Sequence, residues 1–183
     1  MTEIENKCLI SQQQFQRISE LYRHKQIEKI IQINYYFDSI DFYCYRNNET
    51  LRIRQIDEKR VLQYKCKKQK LNNTTISEEF QVDVDFLPEI IRVNHIETTY
   101  IGNMVTERST FQFDKYHLFL DKNMYLGNVD YEIEIEAGCI DDIPESIGDI
   151  FFTEVNKGKY ARFVDALSEL HQIYNFNDVN NIL

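Results

Sequence analysis

"DYEIEIEA", residues 130–137, sets Glu132, Glu134 and Glu136 at every second position, with Tyr131, Ile133 and Ile135 between them. In a strand, side chains alternate between the two faces, so these carboxylates stand in one row, about 7 Å apart. A row of like charge either faces solvent or faces cations, whether metal ions or basic side chains. The rest of the chain has to decide between these.

Working outward, other segments repeat the design. In "TLRIRQI" (50–56), Arg52 and Arg54 alternate with Leu51 and Ile53. In "RVLQYKCKK" (60–68), Lys65 and Lys67 alternate with Tyr64 and Cys66. "TEIENKCLI" (2–10) carries Glu3, Glu5 and Lys7 opposite Ile4, Asn6 and Cys8. "ISEEFQVDV" (76–84) sets Glu79 and Gln81 against Phe80, Val82 and Val84. Arg108 and Asp121 sit in two further strand-like runs, 98–114 and 115–123, and Gly127 marks the turn before the opening stretch. One such row is an ordinary wet face of an antiparallel sheet. Rows of both signs on several strands fit a closed sheet better, because charge turned into a barrel must be compensated. A cavity with both signs suits a metal-bound polyphosphate: carboxylates take hard divalent cations such as Mg²⁺ or Mn²⁺, and Arg and Lys take phosphate oxygens.

Between the strands, Ser11 caps a helix with Phe15, Ile18, Leu21 and Tyr22 on one side, predicted to run to about residue 30. A strand follows at 31–39, then polar joins at 38–48 and 57–60. "LPEIIRVNHI" (87–96) reads as a short helix with Pro88 near its first turn. A small helix near 142–151 and a terminal one over 157–173 complete the domain. About eight strands with short connections predict an α+β, mainly β fold: an eight-stranded antiparallel β-barrel with helices packed outside. Residues 1–173 form one domain and 174–183 a polar tail.

Length and composition set limits. The 183 residues suffice for one domain with a useful core, and 43% hydrophobic with 28% charged residues is ordinary for a globular domain. The net charge of −9 argues against general nucleic-acid binding. Cys8, Cys44, Cys66 and Cys139 form no CxxC pair and share no ligand spacing with the histidines, which argues against zinc. With no leader-like start and no long apolar run, the expectation is a cytoplasmic protein off the membrane.

The ordered set "EIENK", "LRIR", "LQYKCKK", "SEEFQ", "ERST", "LFLDKN", "LGNVDYEIEIE" and "KGKYAR" resembles the CYTH superfamily, the triphosphate tunnel metalloenzymes, over residues 3 to about 170. The "DYEIE" form is similar to the YjbK-like bacterial branch, usually associated with inorganic triphosphatase activity. This resemblance implies an eight-stranded barrel that hydrolyses a triphosphate with Mg²⁺ or Mn²⁺, releasing phosphate and pyrophosphate through attack of metal-activated water on the terminal phosphorus. It implies Glu3, Glu5, Glu79, Asp121, Glu132 and Glu134 as metal-site carboxylates. It implies Lys7, Arg52, Arg54, Lys65, Lys67, Arg108 and Lys159 as phosphate-binding bases, with Lys7, Glu5 and Glu134 closest to the chemistry. Thr106 and Gly158 depart from the usual pattern, standing where many members carry a basic residue and a serine. An adenylate cyclase, a thiamine triphosphatase and a non-catalytic polyphosphate-binding module remain alternatives, and a homodimer is compatible with the sequence. Glu136 and His117 share the charged face without a matching role.

Overall fold

Alternation carries through into structure wherever it is strict. A computed structural model describes residues 2–71, 74–137 and 157–180 of the chain, with side chains for 5–69, 75–136 and 157–170. Strands β1 (Thr2–Ile10), β2 (Gln26–Asp38), β3 (Glu49–Ile56), β4 (Lys59–Leu71), β5 (Thr74–Asp83), β6 (Ile90–Val93), β7 (Ile96–Gln112), β8 (Tyr116–Tyr125) and β9 (Asn128–Ala137) join in one antiparallel sheet. Their order is β2-β3-β4-β5-β1-β9-β8-β7-β6, and pairing of β2 with β7 closes eight of them into a barrel with β6 as the additional strand. The fold is mainly β, with helices α1 (Gln12–Leu21), α2 (Tyr43–Arg46) and α3 (Lys159–Asn180).

Two predicted helical stretches are corrected. Ser11 does cap α1: its Oγ accepts from the Gln14 amide, and the Gln14 side chain accepts from the Ser11 amide. The helix nevertheless stops at Leu21 rather than near 30, and β2 begins at Gln26. Ile27, Ile30, Ile31 and Ile33 are β-branched, and pairing with β7 from Gln26 to Asp38 overrides the helical spacing. The second correction is "LPEIIRVNHI", which forms β6 and a turn rather than a helix. Asn94 and His95 both take left-handed φ, 49° and 67°, a two-residue hairpin turn matched to strand twist. Leu126 and Gly127, at φ 47° and 79°, make the equivalent turn between β8 and β9. The join at 38–48 contains the short helix α2, and α3 runs on to Asn180, past the end of its apolar periodicity. The helix expected at 142–151 lies outside the described residues.

Two apolar clusters support the barrel. One packs Ile18 of α1 against Cys8, Phe111, Leu118, Leu120, Ile133 and Ile135 on the outer faces of β1, β7, β8 and β9. The other joins α3 to the barrel through Tyr160, Phe163 and Val164 with Tyr36, Leu51, Ile53 and Met104. Gly102 of β7 sits at φ 143°, and a Cβ there would meet the Phe163 ring at 2.5 Å, so the close seating of α3 depends on glycine. No helix among the described residues is long and apolar enough to cross a membrane.

Candidate functional site

The barrel register turns the charged rows inward together. Arg52 stands opposite Tyr36 and Gln63, Lys65 opposite Glu79, Lys7 opposite Glu134, and Glu132 opposite Asp121, which in turn faces Arg108's strand. Around a cavity of about 260 Å³ lie Glu5, Lys7, Arg52, Arg54, Lys65, Lys67, Glu79, Arg108, Glu134 and Lys159, all expected from sequence, together with Glu136. Glu3 pairs in register with Ser77. His117 lies on β8 opposite Glu136, outside that lining.

The wall made by β2, β3 and β4 is cationic and held by neutral groups. Arg52 Nε donates to Gln63 Oε1 at 2.8 Å, and Arg54 Nε donates to Asn34 Oδ1 at 3.0 Å. Neither guanidinium has a carboxylate at ion-pair distance among the described residues. Gln63 passes the connection on, donating from Nε2 to Glu79 at 2.7 Å. Burial, reinforced by the neighbouring Arg52 and Arg108, draws the Arg54 guanidinium down to about 9, with Glu134 and Glu79 offsetting only part of that, and leaves it charged at neutral pH. Asn34, 1% exposed, keeps an Nδ2 with no hydrogen-bond partner among the described residues.

The opposite wall, from β1, β7, β8 and β9, is acidic and already neutralised. Arg108 grips Asp121 with both ends of its fork, at 2.8 and 2.7 Å, reaches Glu134 at 3.2 Å and lies over the Phe119 ring. Lys159 Nζ, from the first residue of α3, contacts Glu132, Asp121 at 2.8 Å and Glu134 at 3.4 Å. Glu5 is bracketed by Lys7 and by Lys65 at 3.2 Å. Burial alone would raise the Glu5 carboxyl, but Lys7 and Lys65 outweigh burial and Glu134 together and hold it at about 2. Glu134, raised by burial, is likewise pulled well below the usual carboxylate range by Arg108, Lys159, Lys7 and Lys65. Lys159 is raised in turn: burial opposes its charge, and Asp121, Glu132 and Glu134 more than offset that. Carboxylate oxygens of Asp121, Glu132 and Glu134 lie within 4.8 Å of one another, all buried, a hard oxygen donor set of the kind divalent cations take.

Several residues of this assembly were not expected from sequence. Arg162 donates to Glu132 at 2.8 Å and to Asp130 at 2.8 Å, and to the Lys157 carbonyl at 2.7 Å. Tyr160 donates its hydroxyl to the fully buried Asp38, which also accepts amides from Ser39, Cys44 and Tyr45. Asn34 and Gln63 complete the group. Arg162 had a readable signal, since it stands three residues from Lys159 and so shares its helix face. Asn34 and Gln63 had none, because a neutral amide in a strand looks like any polar residue. Thr106, where many members of the resembling family carry a base, donates to Asn123 at 2.8 Å, and Asn123 donates to the Asp130 carboxylate at 2.8 Å.

Residues 1–161 match the family model described as the CYTH domain. A Bacillus subtilis (strain 168) protein, YjbK, provisionally named a triphosphatase, is 30% identical over 146 residues, covering 74% of this chain and 77% of that protein. Among solved structures, one from Hippeastrum superposes with a TM-score of 0.73 at 21% identity, covering 89% of this chain and 95% of that one. That protein is described as a provisional adenylyl cyclase with a dominant triphosphatase activity. Another, from Bacillus halodurans and provisionally named an adenylate cyclase, superposes with a TM-score of 0.68 at 22% identity, covering 88% and 96%. At these identities the two structures establish the likeness of fold.

Proposed function

This chain belongs to the CYTH domain family, and from that premise we propose that it hydrolyses inorganic triphosphate to phosphate and pyrophosphate with Mg²⁺ or Mn²⁺. The observation that carries the reading is the Arg52–Arg54 pair: two half-buried guanidiniums on one face of β3, held by Gln63 and Asn34 instead of carboxylates. Structural arginines in an interior are normally paired with acids, because an unpaired buried charge is costly. These two leave their remaining N–H donors for an anion that enters the cavity, and phosphate oxygens match the fork of a guanidinium. The name of the 30% identical Bacillus subtilis protein agrees in reaction class.

Asp121, Glu132 and Glu134 fit a divalent cation, and Glu5 stands across β1–β9 from them. When bound, that ion supplies Lewis-acid neutralisation of phosphoryl charge. The chain's own groups do the rest. Arg52, Arg54 and Lys65 hold the phosphate chain, and the Asn34 amide supplies a further donor beside Arg54. Lys7 Nζ, next to Glu5 and opposite Glu134, donates to a terminal phosphate oxygen. Glu5 and Glu134, kept ionised by the bases around them, accept hydrogen bonds from the attacking water and orient it in line with the scissile bond. Phosphoryl transfer asks little more of a protein than positioning and charge stabilisation.

The test is to incubate the purified protein with tripolyphosphate, ATP and thiamine triphosphate, each with Mg²⁺ and with Mn²⁺, and to identify every product. Phosphate and pyrophosphate from tripolyphosphate, at the highest kcat/KM of the three, is the expected outcome. Cyclic AMP from ATP as the dominant product, or binding of all three without turnover, overturns it.

A further inference from the structure

The acidic trio Asp121, Glu132 and Glu134 has the geometry of a cation seat; Arg108 of β7 borders it on Asp121 and Glu134, and a second cation, Lys159, reaches all three carboxylates. Lys159 Nζ touches all three carboxylates, at 2.8 Å from Asp121 and 3.4 Å from Glu134, with Glu132 in direct contact. This ammonium comes from the first residue of α3, not from the barrel wall. Its neighbours on the helix are clamped separately: Tyr160 to Asp38, and Arg162 to Asp130 and to the second oxygen of Glu132. Both Glu132 oxygens are therefore engaged by α3, one by Lys159 and one by Arg162.

We infer that Lys159 is a tethered stand-in for the divalent cation, so that metal binding at Asp121, Glu132 and Glu134 and docking of the first turn of α3 exclude each other. The inference deepens the proposed function and rests on its assignment of the divalent ion to these carboxylates. The physical reason is crowding of like charge. Oxygens within 4.8 Å of one another enclose one cation, and a divalent ion bonded to them at about 2.1 Å leaves no position for an ammonium on the same oxygens. Expulsion of Lys159 removes one of the side-chain clamps on the first turn of α3 and weakens another, because Arg162 shares Glu132 with the incoming ion. Lys159 also lines the substrate cavity, so the displaced ammonium stays within reach of an anion there. The coupling is reciprocal: whatever loosens the start of α3 tightens metal binding by the same factor.

The experiment uses Mn²⁺ alone as probe, with the full chain and no triphosphate. Calorimetric titration is expected to show Lys159→Met binding Mn²⁺ about tenfold or more tighter than wild type. Lys159→Arg, which keeps the charge, stays within about threefold of wild type. Tyr160→Phe, which leaves the trio intact and loosens only the helix, tightens binding by about threefold. In the wild type, saturating Mn²⁺ raises amide hydrogen exchange across residues 160–166, a response that a merely structural ion pair does not give. Equal or weaker Mn²⁺ binding by Lys159→Met, or unchanged exchange in α3 on Mn²⁺ addition, overturns the inference. Should Lys159→Met fail to fold, the Tyr160→Phe affinity and the wild-type exchange decide. Tripolyphosphate turnover with unchanged Mn²⁺ affinity in the variants sinks this inference and leaves the proposed function standing. Tightened Mn²⁺ binding without turnover does the reverse.

Discussion

The two walls of the barrel interior solve the cost of buried charge in opposite ways. On β2–β4, Arg52 and Arg54 are oriented by amides with no carboxylate at ion-pair distance among the described residues, whereas on β1, β8 and β9 Glu5, Asp121, Glu132 and Glu134 each meet a base from the chain itself. On the proposed function the first wall takes an anion as it stands, and on the inference drawn from Lys159 the second exchanges a partner to bind a new cation. Substituting the first is expected to remove function and leave the fold intact, and substituting the second to weaken the fold.

The sharpest break in this contrast is Arg52→Met combined with Arg54→Met. Loss of both anion-facing guanidiniums is expected to lower kcat/KM on tripolyphosphate by on the order of 10⁴-fold, about 5 kcal/mol of transition-state stabilisation. Thermal stability should hold or rise, since two adjacent like charges with no carboxylate at ion-pair distance are being removed. A double variant that unfolds, or one that retains activity, places these arginines in the structural class with Arg108. On the acidic side, Arg162→Met should cost about 3 kcal/mol in urea unfolding, because it leaves Glu132 with Lys159 as its remaining base and Asp130 with the neutral donors Asn123 and Tyr125. Unchanged stability in that variant would show that α3 is seated by its apolar face alone.

Acid titration reads the same wall without mutagenesis. Glu5, Glu134 and Asp121 all have folded pKa values below their ordinary ones; for Glu5 burial works against this, and Lys7 and Lys65 prevail to hold it at about 2. Groups depressed in the folded state contribute stability that is complete above the unfolded pKa and is lost as pH falls through the folded one. Urea unfolding should therefore be flat from pH 7 to about 5 and lose stability between about 4.5 and 2, with Glu5 contributing about 3 kcal/mol of the loss. Glu5→Gln should flatten that limb. An unchanged limb in the variant would mean that Lys7 and Lys65 do not hold Glu5 as the geometry describes.

The walls themselves were legible because strand period is strict: "DYEIEIEA", "LRIR" and "YKCK" each fix which residues share a face, and closure of the sheet then fixes what they face. Register supplied the rest. That Arg108 would meet Asp121, or Lys65 meet Glu5, depends on strand order and stagger, which no single segment encodes. The misread segments share one cause. Residues 22–30 and 87–96 have short apolar spacings compatible with either helix or strand, and only pairing with β7 settles them. The parts of the site that stayed hidden act through partners. Asn34 and Gln63 matter by what they hold, and Arg162 and Asp38 by where α3 lands, a long-range contact that the helix's own apolar pattern does not announce.

The smallest expected effect tests where the cationic wall ends. Gly158 stands where the resembling family carries serine, next to Lys67 of β4, and both line the cavity. A Cβ at position 158 would meet Lys67 Nζ at 3.4 Å, ordinary contact with the far end of a flexible side chain. Gly158→Ser should therefore change stability by less than about 0.5 kcal/mol and leave kcat/KM on tripolyphosphate within about twofold. A tenfold fall with stability unchanged would mean that Lys67 holds phosphate from the one position the serine disturbs. The anion-binding wall would then extend along β4 beyond Lys65 to the first turn of α3.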